Sequence, residues 1–78
     1  MHENVKILRE LKNFTQKFMA NQLFMSQSNY SRIEKGLVRL NTETLKQISK
    51  ILNVTESEII NLDENVIISI LKKKKPNK

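Results

Sequence analysis

The apolar positions of this chain recur at mixed spacings of three and four, the period of helices that each bury one stripe. Glu3 to Lys12 sets Val5, Ile7, Leu8 and Leu11 on one side, and Asn13 follows as a residue that tolerates the left-handed stop of a helix. Thr15 then reads as an N-cap for a second segment, Gln16 to about Gln22, with Met19 and Leu23 inward and small Ala20 at a close crossing. Ser26 caps a third segment, Gln27 to Lys35, in which Met25 and Tyr30 form a hydrophobic staple and Gly36 supplies the stop. A fourth begins near Asn41 or Thr42, carries Leu45, Ile48, Ile51 and Leu52, and closes at Asn53. The fifth opens on the capping box Thr55-Glu56-Ser57-Glu58, with Val54 stapled to Ile59, and ends near Leu62.

With one Gly and one Pro there are few breakers, so the pattern predicts an all-α unit of five short helices over residues 1–62. Residues 63–78 read differently. Asn65 to Leu71 is a β-branched apolar run that admits three readings: a sixth helix covering the core, a contact with a second copy of the chain, or, well behind these, a segment lying on an anionic membrane. The lysines that follow, Lys72 to Lys75 and Lys78, read as a solvated, mobile tail, or as added non-specific affinity for a polyanion.

Composition narrows the chemistry. Of 14 basic residues, five lie in the last seven positions, so residues 1–71 hold nine basic against eight acidic groups and the net +6 is mostly a property of the tail. There is no Cys, which removes thiolate metal sites and cysteine nucleophiles and fits a reducing compartment. The one histidine, His2, sits beside the start Met and reads as a loose terminal residue, so a multi-His metal site or a serine–histidine triad has no material. No 18-residue apolar stretch and no signal-peptide h-region are present. No clustered acid/base pair or Gly-rich phosphate loop stands out, so neither an enzyme nor a cofactor is expected, and the location expected is cytoplasmic.

Two helices joined by a short turn, Gln16–Gln22 and Gln27–Lys35, have the geometry of a helix-turn-helix. At about 100° per residue, Gln27, Ser28, Ser31, Arg32 and Lys35 share an arc of roughly 140°, while Tyr30 and Ile33 lie opposite. The polar arc has the chemistry of a major-groove reader, since Gln pairs bidentately with adenine, Arg with guanine, and Ser with either. The wheel also turns Glu34 inward beside Tyr30, where a carboxylate needs a partner, and Arg9 in the first segment is the candidate. A phosphate contact through the Tyr30 hydroxyl is the lesser reading of a residue that is core first.

The residues Leu8-Arg9, Thr15-Gln16, Met19-Ala20, Met25-Ser26-Gln27-Ser28, Ser31-Arg32-Ile33-Glu34-Lys35-Gly36, Leu45 and Leu52-Asn53-Val54-Thr55 resemble the Cro/C1-type (XRE) helix-turn-helix domain of phage and bacterial regulators, over about Val5 to Ile60. The resemblance implies a lambda-repressor-like five-helix domain acting as a homodimer on palindromic double-stranded DNA, in a bacterium or phage. It implies that Thr15 and Gln16 grip a phosphate, that Gln27, Ser28 and Arg32 face base edges, and that Arg9 and Glu34 form an internal ion pair. Three residues depart from the family pattern. Phe24 stands where Gly is usual in the turn, Phe18 replaces a usually polar residue, and Asn41 stands where Pro is common.

The expectation is therefore a transcriptional repressor in which Gln27, Ser28, Ser31 and Arg32 read bases while Thr15, Gln16, Lys17, Asn29, Lys35 and Arg39 hold phosphates. The rival is an antitoxin-like protein that binds a partner toxin as well as its own promoter.

Overall fold

The structure, a computed structural model, describes residues 1–73. Six helices run in chain order: α1 His2–Leu11, α2 Gln16–Gln22, α3 Gln27–Glu34, α4 Thr42–Leu52, α5 Glu56–Ile60 and α6 Glu64–Lys73, with no strand among the described residues. Side-chain oxygens cap the N-termini of α2, α3, α4, α5 and α6. Thr15 accepts from the Phe18 amide at 3.0 Å, Ser26 from Asn29 at 3.1 Å, Asn41 from Thr44 at 2.8 Å and Thr55 from Glu58 at 3.0 Å. The Glu58 carboxylate returns to the Thr55 amide at 2.8 Å, completing the box. That backbone hydrogen bond, with Lys73 beside it, holds the Glu58 carboxyl below the ordinary range.

The helix ends share a device. α1, α2, α3 and α4 each stop on a left-handed residue, Asn13, Phe24, Gly36 and Asn53, with φ between 58° and 76°. In each, the amide one residue further on donates back to the last turn: Phe14 to Arg9, Met25 to Ala20, Leu37 to Arg32 and Val54 to Ser49, all at 2.9–3.1 Å. Three of the four stops are Gly or Asn, which bear this conformation well; the fourth is an aromatic residue 96% exposed. A left-handed side chain costs about 1–2 kcal/mol, against about 0.5–1 kcal/mol for the extra freedom that glycine brings to the unfolded chain. Because Phe24 has almost no packing to lose, Phe24→Gly is expected to stabilise the domain by about 0.5–1 kcal/mol. The check is thermal unfolding, with a rise of a few degrees; an unchanged or lower melting temperature would show a compensating contact.

The helices enclose one apolar core in which α2 packs on α3, and α1 spans α3, α4 and α5. Val5, Leu8, Met19, Tyr30, Ile48, Leu52 and Ile59 are fully buried at its centre. Asn4 ties α1 to the end of α5 by donating to the Ile59 carbonyl at 2.8 Å. Phe18 is partly exposed and leans on Phe14, ring centroids 4.5 Å apart.

Three expectations change. Ile7 is exposed, because Val5, Leu8 and Arg9 alone form the buried stripe of α1. His2 is not loose: it lies within α1, and its ring sits so close to Gly36 that a Cβ there would fall 2.6 Å from it. Of the three readings of the apolar run, the structure realises a helix. The Asp63 carboxylate accepts from the Val66 amide at 2.9 Å and starts α6, Ile70 is buried, and Val66 and Leu62 pack against the core. Lys72 and Lys73 belong to this helix rather than to a tail, and Lys73 pairs with Glu58 at 3.1 Å. The remaining lysines of the basic run, Lys74, Lys75 and Lys78, lie outside the described residues.

Candidate nucleic-acid interface

The surface begins with how α3 is held. Its inward residues, Tyr30, Ile33 and Glu34, are buried, and Gln27, Ser28, Asn29 and Arg32 on the other side are exposed, with Ser31 half-buried between them. Lys35, the C-cap, is exposed as well. Two open concavities flank the helix. Gln16, Gln27, Ser28, Ser31, Arg32 and Lys35 line the first. The second is lined by Asn29, Arg32 and Arg39 together with Met25, Ile33, Val38, Asn41 and Thr44. So α3 stands as a ridge with Arg32 at the crest, bordering both. The residues lining the two concavities include three cations and no carboxylate.

The one acidic residue on α3, Glu34, is turned away and neutralised. Its carboxylate accepts from Arg9 Nε at 2.6 Å and Nη2 at 3.2 Å, a two-point pairing of planar groups. The Tyr30 hydroxyl donates to it at 2.5 Å and Gln16 Nε2 at 3.1 Å. Arg9 spends a third donor on the Phe14 carbonyl at 2.8 Å, where the chain leaves α1. No buried side-chain polar atom among the described residues lacks a partner. Burial alone would push the Glu34 carboxyl up, but the donors from Arg9, Tyr30 and Gln16 outweigh it and hold it below the ordinary range. Burial, and then donation to that carboxylate, push the Tyr30 phenol well up, and Glu34 raises Arg9.

This cluster corrects one reading and adds another. Tyr30 is fully buried with its hydroxyl engaged by Glu34, so it is not placed for a phosphate. Gln16, expected only at a phosphate, is also tied to the interior: one amide hydrogen goes to Glu34 while the residue borders the first concavity. Because an ionised carboxylate only accepts, the amide must turn its nitrogen inward. Thr15 and Lys17 line neither concavity; Thr15 is exposed and its oxygen caps α2, and Lys17 is exposed in the first turn. No sequence signal marks Thr44, and Asn41 stands out only near the start of α4 and where Pro is common; both line the second concavity. No cluster of three or more His, Cys, Asp or Glu that could hold a metal occurs among the described residues, and no helix there is long and apolar enough to cross a membrane.

A capped helix whose outer side carries amides, hydroxyls and guanidinium packs on a preceding short helix across a tight turn. The model of the family described as Helix-turn-helix matches residues 5–59. The chain belongs to this family, in its Cro/C1 type. Membership makes it a DNA-binding domain of the class that regulates transcription, and not an enzyme. Over 68 residues, 87% of the chain, this helix-turn-helix domain is 37% identical to the HTH-type transcriptional activator BcrR of Enterococcus faecalis. It spans 33% of that protein's length. No solved structure matches it.

Proposed function

We propose that this domain regulates transcription by sequence-specific binding to the major groove of double-stranded DNA, as a homodimer on a palindromic operator. The observation that carries the proposal is the ridge formed by α3, with Gln27, Ser28, Ser31 and Arg32 on the side turned away from the core and cations bordering both flanking concavities. Base reading falls to those four residues, and Gln16, Lys17, Asn29, Lys35 and Arg39 hold phosphates, with the Thr15 hydroxyl hydrogen left to donate to one. The mechanism is placement: a bound dimer occupies the operator. An operator overlapping the promoter gives repression, the direction we favour, because an occupied promoter excludes the polymerase without any further contact. Placing two half-sites one helical turn apart, about 34–36 Å, fixes the expected spacing.

Selection of bound duplexes from a random pool tests the reading. The expected product is an inverted repeat with that spacing; a pool that enriches no sequence overturns it. Lys35→Ala supplies a finer check. A residue that holds a phosphate contributes affinity without reading sequence, so the loss should be uniform across duplexes, and the slope of log K against log[salt] should flatten by about 1. A loss confined to one base pair would move Lys35 to the reading set.

A further inference from the structure

α6 has two faces. Val66 and Ile70 point at the core, and Lys73 is drawn along the same side to Glu58 at 3.1 Å. At about 100° per residue, Ile68 lies opposite the midpoint of Val66 and Ile70. It is 51% exposed, and Leu71, one turn on, is 44% exposed. The same outward stripe begins at Glu64 and ends at Lys72, both exposed and in no ion pair among the described residues. Four residues before α6, Ile60 is also 50% exposed. The stripe therefore carries an acid at one end, a base at the other and an isoleucine midway, about 6 Å from each along the axis.

We infer that this stripe is the contact surface for a second copy of the chain, docked antiparallel about a two-fold axis through Ile68, so that Glu64 of each α6 meets Lys72 of the other. This rests on the homodimer reading above and names its surface. Charge selects the occupant and the direction. A parallel pair would bring Lys72 against Lys72 and Glu64 against Glu64, whereas the antiparallel pair satisfies both ends with one symmetry operation. An anionic lipid surface would favour the lysine end and repel the glutamate end of the same stripe. The α6 residues line neither concavity flanking α3, so the docking leaves the DNA-facing side open. The apolar stripe is short, which makes the contact a weak one that two tethering half-sites strengthen through effective concentration.

Sedimentation equilibrium of the full chain at high protein concentration, repeated with operator-length DNA, tests it. The wild type is expected to approach a dimer's mass. Ile68→Glu and the milder Ile68→Ser should return it to a monomer's mass with unchanged helicity and melting temperature, because Ile68 is not a core residue. Glu64→Lys and Lys72→Glu should each weaken the dimer, and the two reversals in one chain should restore it. A dimer that survives Ile68→Glu places the interface elsewhere and leaves the homodimer reading standing. A wild type that stays monomeric with and without DNA removes both. Reversals that fail to rescue overturn the antiparallel register. Co-sedimentation with phosphatidylserine vesicles that is lost in Ile68→Glu assigns the stripe to a membrane instead.

Discussion

Glu34→Ala is expected to cost the domain about 3–5 kcal/mol, the range for removing one partner of a buried ion pair. The loss does not stop at the salt bridge. The carboxylate collects four donor contacts, from Arg9 twice, Tyr30 and Gln16, and alanine leaves those groups facing one another in the interior. A chain of this length has a total stability of about 4–12 kcal/mol, so the variant should lose roughly a quarter of it or more. At several degrees per kcal/mol, the melting temperature should drop by more than about 10 °C. An unchanged value would mean that the cluster is open to water. The same residue sets an acid dependence. Its folded carboxyl titrates below the ordinary 4.5, so its stabilising effect is complete above that value and is lost as pH falls through the lower folded value. Wild-type stability should therefore decline from about pH 5 downward, and Glu34→Gln, which keeps the shape but cannot ionise, should show a shallower decline over the same window. Glu58, also held low, contributes the slope that remains in the variant.

Much of this architecture is legible because short polar residues mark helix ends by mechanism. Thr15, Ser26 and Thr55 cap the helices the pattern assigns to them, Asn41 caps α4, whose first residue is Thr42, and Asn13, Gly36 and Asn53 end α1, α3 and α4. Phe24 is illegible by that logic. Propensity never nominates an aromatic residue for a left-handed stop, and only its place where the family usually has Gly marks the turn. The run after Leu62 fails for another reason. Successive apolar residues satisfy helical and strand periods equally, and the residue that decides for helix, Asp63, lies just before the run rather than in it. Ile7 shows the width limit of a wheel: with mixed spacings an arc can be drawn too broadly, and packing of α1 against three other helices selects the narrower stripe.

The candidate surface divides along the same line. A wheel orders residues around one helix, so it finds the outer side of α3 and the inward turn of Glu34. It cannot say what another helix brings alongside. The Gln16 amide reaches Glu34 across 18 residues of sequence, and the second concavity joins Asn29 and Arg32 to Arg39, Asn41 and Thr44 from the following loop and α4. Those are products of tertiary packing, which brings α2, the following loop and the start of α4 beside α3 and which no local pattern encodes.

Arg32→Ala separates reading from holding. The side chain is exposed and donates no hydrogen bond within the described residues, so its removal should leave the melting temperature within the small range of a surface substitution. Binding should respond differently. Arg32 borders both concavities, and if its guanidinium reads a base, the loss of a two-point contact to guanine is worth about 1–3 kcal/mol, roughly 5- to 150-fold in affinity. The loss should be concentrated at one base pair of each half-site, and substitution of that pair should then cost the variant little more. Arg32→Lys sharpens the test, because an ammonium keeps the charge but not the fork. If Arg32 reads a base, lysine should preserve most of the salt dependence and lose most of the discrimination. If Arg32 holds a phosphate, lysine should restore affinity nearly in full, and alanine should weaken every duplex alike. Measured affinities for a panel of single-pair operator variants, taken at two salt concentrations, distinguish the two cases directly.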